Sequence, residues 1–186
     1  MRGEMLEADG SIHDWLEGGE LKLTSIAYID DVTNIVYTAF REQEHAAGYL
    51  EVLQEICLTE GIPQSVYMDK RLSSRKKASL ADQLAGKDPK SRCERIIEEL
   101  GIELILAHSP QAKGRIKRLF GTLQDQLVKA LREASADSLE KAIVMLKRFL
   151  PKHSQQFMVK AEQDRSAFVL WGKPRNHYSL FAFKYT

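Results

Sequence analysis

The sequence predicts an α/β fold: a mixed five-stranded sheet of three antiparallel and two parallel strands, with helices on both faces. Three strand-like segments joined by short links come first, which is typical of an antiparallel meander. Helical segments then alternate with short, almost wholly apolar runs, which are typical of buried strands reached by crossover connections. The predicted order is therefore strand, strand, strand, helix, strand, helix, strand, helix.

The first three strands form the predicted meander, at residues 4–9, 21–29 and 35–40. The first of them ends at Asp9 and the following Gly, a pair that is typical of a turn. In the second strand, Leu, Ile, Ala and Tyr alternate loosely with polar residues. This strand stops at Asp30 and Asp31, which we interpret as turn residues.

Apolar residues at helical spacing predict the helices that follow, at residues 43–59, 93–100, 114–134 and 138–157. Between them, two short apolar runs predict the buried strands, at residues 65–68 and 103–107. Ser138 is predicted to be the N-cap of the last helix. That helix reaches residue 157 unless Pro151 kinks or ends it.

The last residues of the chain are predicted to form a tail, residues 161–186, after a core domain of residues 1–160. Two strand-like runs, at 167–171 and 178–183, are separated by a Gly-Lys-Pro turn. They predict the start of a small C-terminal β element.

Composition is that of an ordinary globular domain, with 186 residues, 44% of them hydrophobic, and a formal net charge of +1. Charge is uneven, because residues 70–92 contain eight Lys and Arg against two Asp, a local charge of +6. Cys57 and Cys93 have no ligand spacing, so we expect free thiols in a reducing cytoplasm. No apolar run has the length of a signal peptide or a membrane span.

The most specific motif is the loop that enters the third helix, residues 108–118. From position 109 it reads Ser-Pro-Gln-Ala-Lys-Gly-Arg-Ile-Lys-Arg. It resembles the segment that carries the last catalytic carboxylate in bacterial insertion-sequence transposases and retroviral-type integrases. In that family a Glu, the third acid of an Asp-Asp-Glu metal site, stands at the position of Lys117. The family has a ribonuclease H-like fold, whose order of elements is the one predicted here.

Three other segments add to the resemblance, which covers most of residues 5–150. Asp9 lies in Ala-Asp-Gly-Ser-Ile-His-Asp-Trp, which is similar to the segment of the first catalytic acid. The segment Ile-Asp-Asp-Val-Thr at 29–33 is similar to the second-strand signature. Asp69, in Tyr-Met-Asp-Lys, matches the segment of the second catalytic Asp and is 48 residues from Lys117, a spacing longer than the compact one typical of the superfamily.

The resemblance implies catalytic positions at Asp9, Asp69 and Lys117, with Mg²⁺ or Mn²⁺ held by Asp9 and Asp69. Phosphoryl transfer on DNA by two metals needs several carboxylates, and hard cations prefer their oxygens. Lys117 is expected to weaken metal binding, because a protonated amine has no lone pair and repels cations. Taken singly, either Asp is more typical of a turn or a helix cap. In this order and beside the loop motif, the catalytic interpretation is favoured.

Two arrangements can compensate for the lysine at position 117. Glu7 lies on the same face of the first strand as Asp9, so it is a candidate replacement ligand. Alternatively, the Lys117 ammonium forms a salt bridge with Asp9 or Asp69 and neutralises them without a metal.

Basic residues near these positions are candidate contacts to DNA phosphates: Lys70, Arg71, Lys113, Arg115 and Arg118. The first two begin the basic run 70–77, and such a run is also typical of a merely solvated surface. The others lie at the start of the third helix, where backbone N–H groups favour anions. A homodimer or higher multimer is expected from the family, and no membrane partner is.

Two functions remain open at this stage. The first is a transposase or integrase core for DNA cleavage and strand transfer, impaired by Lys117. The alternative is a catalytically inactive DNA-binding or assembly module on the same fold. A hydrolase or nucleotide-binding enzyme of another class is disfavoured, since its fingerprint motifs are missing from the sequence. No helix-turn-helix precedes the first strand, so we expect a core fragment or a truncated copy.

Overall fold

The computed structural model describes residues 1–18, 21–70, 90–107, 114–172 and Phe181. Its sheet has five strands in the order β3-β2-β1-β4-β5. Their bounds are Met5–His13 (β1), Leu23–Asp30 (β2), Val36–Arg41 (β3), Ser65–Asp69 (β4) and Glu103–Ala107 (β5). β1 with β2 and β2 with β3 are antiparallel, whereas β1 with β4 and β4 with β5 are parallel. The predicted mixed sheet is confirmed.

Within the described residues, four helices cover the two faces of this sheet: Ala46–Thr59 (α1), Arg92–Glu99 (α2), Gly114–Glu133 (α3) and Leu139–Phe157 (α4). On the first face, Leu6 and Ala8 of β1 pack with apolar residues of α1 and α2. On the second face, Ala27 and Ile29 of β2 pack with the leucine stripe of α3 and with α4. Because side chains alternate along a strand, successive residues of β1 and of β2 point to opposite faces of the sheet. Helices on both faces are confirmed.

β2 is buried along its whole length. It lies between β1 and β3 and is covered by helices on both faces. A strand buried on both faces does not need polar residues at alternate positions. This explains why its sequence alternates only loosely.

The turn after β2 is held by Asp30, whose side chain is fully buried. One carboxylate oxygen accepts from the backbone N–H of Thr33 at 2.8 Å and from its hydroxyl at 2.7 Å. The other oxygen accepts from the N–H of Gly3 at 2.6 Å. Asp31 follows in the turn and is partly exposed. The interpretation as a turn residue is confirmed for Asp31, whereas Asp30 is the last residue of β2 and stabilises the turn through its side chain.

β1 continues past the turn predicted at Asp9 and stays paired with β2 as far as His13. The prediction that the strand ends there is wrong. A Cβ at position 10 would lie 2.7 Å from the Tyr49 hydroxyl and 2.8 Å from a carboxylate oxygen of Glu44, so a larger residue there would displace the ends of these two side chains. Gly10 therefore allows α1 to approach β1 closely and does not mark a turn.

α4 begins at the predicted N-cap, where the Ser138 hydroxyl accepts from the N–H of Lys141. Pro151 does not end it, because the helix continues to Phe157. One row of its side chains packs together across the proline: His153 lies between the rings of Phe149 and Phe157, at centroid distances of 5.8 and 4.7 Å. This packing offsets the backbone hydrogen bond that proline removes.

His153 is expected to make stability fall as the pH drops from about 7 to about 5.5. Burial lowers its pKa, so the folded chain keeps a neutral imidazole while the unfolded chain takes up a proton below about pH 6.5. The His153→Gln variant should lose part of this slope in urea denaturation across that interval. The exposed His45 supplies the control, because His45→Gln should keep the original slope. An unchanged slope in His153→Gln would contradict the assignment.

The predicted strand at 167–171 is wrong, since this run forms only an isolated bridge, between Val169 and Ile62. In the second run, Phe181 is the one described residue; it is helical, buried and in ring contact with Trp171 at 5.8 Å. The other residues of that run lie outside the described ranges. Phe181 belongs to the core of the first face, so this part of the tail packs on the sheet domain. Among the described helices, none is long and apolar enough to cross a bilayer.

Candidate active site

Asp9 and Asp69 lie side by side at the same edge of the sheet. Glu7 pairs with Tyr67 in the parallel register of β1 and β4, and each aspartate is two residues further on. Neighbouring strands are about 4.8 Å apart, and residues two apart share a face. Both side chains are therefore directed to the second face, and both are half-buried. The register therefore puts the two aspartates that the sequence indicated at the same end of neighbouring strands, two residues beyond the last pair.

α3 runs over this part of β1. The backbone N–H of Ile116 donates to a Glu7 carboxylate oxygen at 3.2 Å, and the Gln124 amide donates to the Ser11 hydroxyl at 3.1 Å. Asp9 lies between these two anchored residues of β1. The helical segment that begins with Lys117 therefore passes alongside Asp9, as expected if position 117 completes the site.

Lys117 itself is exposed. It forms no ion pair with Asp9 or Asp69, and all three residues are among those the structure describes. The predicted salt bridge is therefore not formed. Its neighbour Ile116 is fully buried, which directs the next side chain away from the core, and water solvates an ammonium better than a partly buried carboxylate pair does.

The Glu7 carboxylate is already hydrogen-bonded to the helix that carries Lys117. Its side chain is 5% exposed and accepts from the N–H of Ile116 in the first turn of α3. Burial raises the pKa of Glu7, the Ile116 N–H opposes the rise, and the charge of Asp31 adds to it. A carboxylate that already satisfies a helix N-terminus is a poor replacement ligand, because metal binding would leave that N–H without a partner.

The described residues do not supply the donor set of a two-ion centre. Asp9 and Asp69 each carry carboxylate oxygens on the same face, the type of donor that a hard cation prefers. Elsewhere in the described ranges, no three His, Cys, Asp or Glu side chains come close enough together to hold a metal ion. A lysine at position 117 gives no further donor.

The predicted DNA contacts have different surroundings. Lys70, next to Asp69, and Arg118, on α3, are both exposed. Arg115 pairs with Asp31 at 2.5 Å and donates to the Asn34 side chain at 3.2 Å, so its guanidinium is engaged within the protein. Two other predicted contacts lie outside the described residues: Arg71 and Lys113.

Tyr49 lies close enough to Asp9 to be affected by its charge, and no sequence motif indicates this. The Tyr49 hydroxyl donates to Glu44 at 2.7 Å, close to Gly10. Burial, then the Glu44 carboxylate and then the charge of Asp9 raise the pKa of Tyr49, so it stays protonated. Its only signal in the sequence was an apolar position at helical spacing, which does not reveal what its hydroxyl contacts.

The chain is similar to known proteins in sequence and in fold. No family model matches the chain. Over 163 residues it is 33% identical to the putative transposase y4bF of Sinorhizobium fredii (strain NBRC 101917 / NGR234), covering 84% of this chain and 34% of the relative. It is also 33% identical over 155 residues to the transposase for insertion sequence IS1202 of Streptococcus pneumoniae, covering 83% and 33%. The chain thus spans about a third of the length of these curated relatives.

The fold is similar to that of retroviral proteins. The HTLV-2 integrase catalytic core domain in complex with magnesium, in its trimeric form, matches with a TM-score of 0.56 and 14% identity over 77% of this chain and 82% of that one. The simian T-cell lymphotropic virus intasome in complex with the PP2A regulatory subunit B56 gamma matches with a TM-score of 0.58 and 16% identity over 94% and 56%. At such identities the likeness establishes a common fold.

Proposed function

Because the chain belongs to the family of insertion-sequence transposases and retroviral-type integrases, with the ribonuclease H-like fold of their cores, we propose that it is a transposase catalytic core with an impaired chemical step. Its reaction would be metal-dependent DNA cleavage and strand transfer. The proposal concerns the core, since the chain spans only about a third of the length of the curated relatives.

One observation carries the proposal: Asp9 and Asp69 are adjacent on one face of the sheet, and α3 presents an exposed lysine where the family has its third acid. Two carboxylates bind one Mg²⁺ or Mn²⁺ weakly, and the HTLV-2 core is similar in fold and contains magnesium. A bound ion supplies Lewis-acid stabilisation of charge on phosphate oxygens. The positive charge of Lys117 opposes this binding.

DNA would reach this edge of the sheet through phosphate contacts. Two exposed cations lie on the elements that carry or face the aspartates: Lys70 directly follows β4, and Arg118 is in the first half of α3. Arg71 and Lys113 extend the proposed contact surface in the sequence. Contacts of this kind are independent of base sequence and weaken with salt.

The oligomeric state and the cellular compartment are also proposed here. The HTLV-2 cores were solved in dimeric and trimeric forms, so we propose that this core also forms a homodimer or higher multimer. Cys57 and Cys93 are free and buried, and burial raises the pKa of each to about 12. Two unreactive thiols of this kind fit a reducing cytoplasm.

The alternative, a DNA-binding or assembly module without chemistry, is favoured by the exposure of Lys117. Beside Arg118 it gives α3 two adjacent exposed cations that are suited to phosphates. Plasmid nicking in Mn²⁺, measured with the chain and with Lys117→Glu, separates the two functions. Nicking gained by the variant supports the impaired core, and DNA binding by both without nicking supports the module. If neither protein binds DNA, both proposed functions are contradicted.

A further inference from the structure

A cavity of about 310 Å³ opens between the end of β2, the first half of α3 and the end of α4. It lies over the second face of the sheet, on the side of α3 away from Lys117. Three apolar side chains, Ile29, Leu119 and Phe157, line it together with two arginines and His153. Small-ligand sites in proteins start at about 300 Å³ and combine an apolar lining with a few polar groups.

The positive charge of this cavity comes from Arg115 and Arg118. Arg115 shares its guanidinium with Asp31 and Asn34. The Arg118 guanidinium has no hydrogen bond or ion pair with any residue that the structure describes. Its charge acts on the Glu7 carboxylate, but the guanidinium has its donors free for a phosphate, since its planar fork matches two phosphate oxygens.

A second part of the cavity wall is aromatic and neutral. The ring of Phe157 lines the cavity and packs on His153, with centroids 4.7 Å apart. His153 is 4% exposed, and its Nδ1 has no hydrogen-bond partner among the described residues. Burial lowers the pKa of His153, so the imidazole adds no charge near neutral pH. The wall therefore offers a flat uncharged surface to a planar ring.

We propose that this cavity binds a nucleoside phosphate, with the phosphate on Arg118 and the base against Phe157. Any base can stack on an aromatic ring, so such a site is tolerant of sequence. Neither half of the ligand alone uses both walls: inorganic phosphate leaves the aromatic wall bare, and a nucleoside leaves Arg118 without an anion.

The cavity is close to the candidate active site. Ile29 pairs with Glu7, which is two residues before Asp9, and strand geometry puts Ile29 and Asp9 about 8 Å apart. A DNA strand that passes Asp9 could therefore place one of its nucleotides in the cavity. A free nucleotide offers the same phosphate and base, so it is the second possible source of the ligand. The DNA source depends on the proposed function, whereas the binding of a free nucleotide does not.

NMR titration of the full chain tests the proposal with three probes: dAMP, deoxyadenosine and inorganic phosphate. Binding of dAMP should shift the resonances of His153 and Phe157 and be at least about tenfold tighter than that of either other probe. Arg118→Gln should weaken dAMP at least about tenfold. Arg148→Gln, which removes an exposed arginine elsewhere on the surface, is the matched control and should change nothing.

Phe157→Leu tests the aromatic wall separately, since it keeps apolar volume and removes the ring. It should weaken dAMP and leave the affinity for inorganic phosphate unchanged. Equal affinities for inorganic phosphate and dAMP, or equal effects of Arg118→Gln and Arg148→Gln, would overturn the proposal. So would shifts that map away from His153 and Phe157.

A single-stranded trinucleotide distinguishes the two sources. Tighter binding than dAMP, lost in Arg118→Gln, supports a nucleotide of DNA, and equal binding supports a free nucleotide. The result is separable from the catalytic proposal. If Lys117→Glu nicks plasmid DNA but the chain does not bind dAMP, only the cavity proposal is overturned. If the chain binds dAMP but Lys117→Glu does not nick plasmid DNA, only the catalytic proposal is overturned.

Discussion

The Lys117→Glu variant is expected to nick plasmid DNA in Mn²⁺ at least about 100 times faster than the unmodified chain. The change replaces an exposed cation by a carboxylate on α3, the helix that is hydrogen-bonded to β1 on either side of Asp9. Charge stabilisation by a catalytic metal contributes several kcal/mol, and about 2.7 kcal/mol corresponds to a factor of 100. Initial rates over a range of Mn²⁺ concentrations measure both the gain and the metal affinity.

Lys117→Gln separates removal of the cation from addition of a ligand. It should raise the rate by less than about tenfold, since an amide relieves repulsion but is a weak ligand for a hard cation. Asp9→Asn, introduced together with Lys117→Glu, should abolish the gain. Equal rates for Lys117→Glu and Lys117→Gln would show that position 117 does not complete a metal site.

The sheet could be predicted because its signals are local. Strands β4 and β5 are short apolar runs between helices, and the α3 stripe repeats Leu119, Leu123 and Leu127 at a spacing of four. For β4 and α3 the apolar pattern reports burial, whereas β5 lies at the edge of the sheet and is only partly buried, so the prediction of a buried strand is wrong there. The order of elements then limits the topology. The adjacency of Asp9 and Asp69 also follows, because parallel strands that start level bring their ends to one edge.

The features that the sequence did not predict depend on contacts between residues far apart in the chain. Gly10 resembles a turn residue until the close approach of Tyr49 is known. The exposure of Lys117 follows from the rotation of α3, which the Glu7 carboxylate and Gln124 fix against β1. The cavity is formed by β2, the first half of α3 and the end of α4, so no local pattern indicates it.

Asp30→Ala is expected to lower the free energy of unfolding by about 3–5 kcal/mol. The carboxylate is fully buried and accepts from the N–H groups of Gly3, Val32 and Thr33 and from the Thr33 hydroxyl. Alanine leaves these donors without a partner, and each buried donor left unpaired destabilises by about 1–3 kcal/mol. Urea denaturation measures the change.

The neighbouring Asp31 is the matched control. Its ion pair with Arg115 is partly exposed on both sides, so Asp31→Ala should lower stability by no more than about 1 kcal/mol. Similar losses in the two variants would contradict the role given to Asp30. Because the Asp30 bond to Gly3 fixes the chain just before β1, Asp30→Ala should also reduce nicking by Lys117→Glu at temperatures where the sheet is still folded. Loss of that activity without loss of helical circular dichroism would show that the turn after β2 positions Asp9 as well as stabilising the fold.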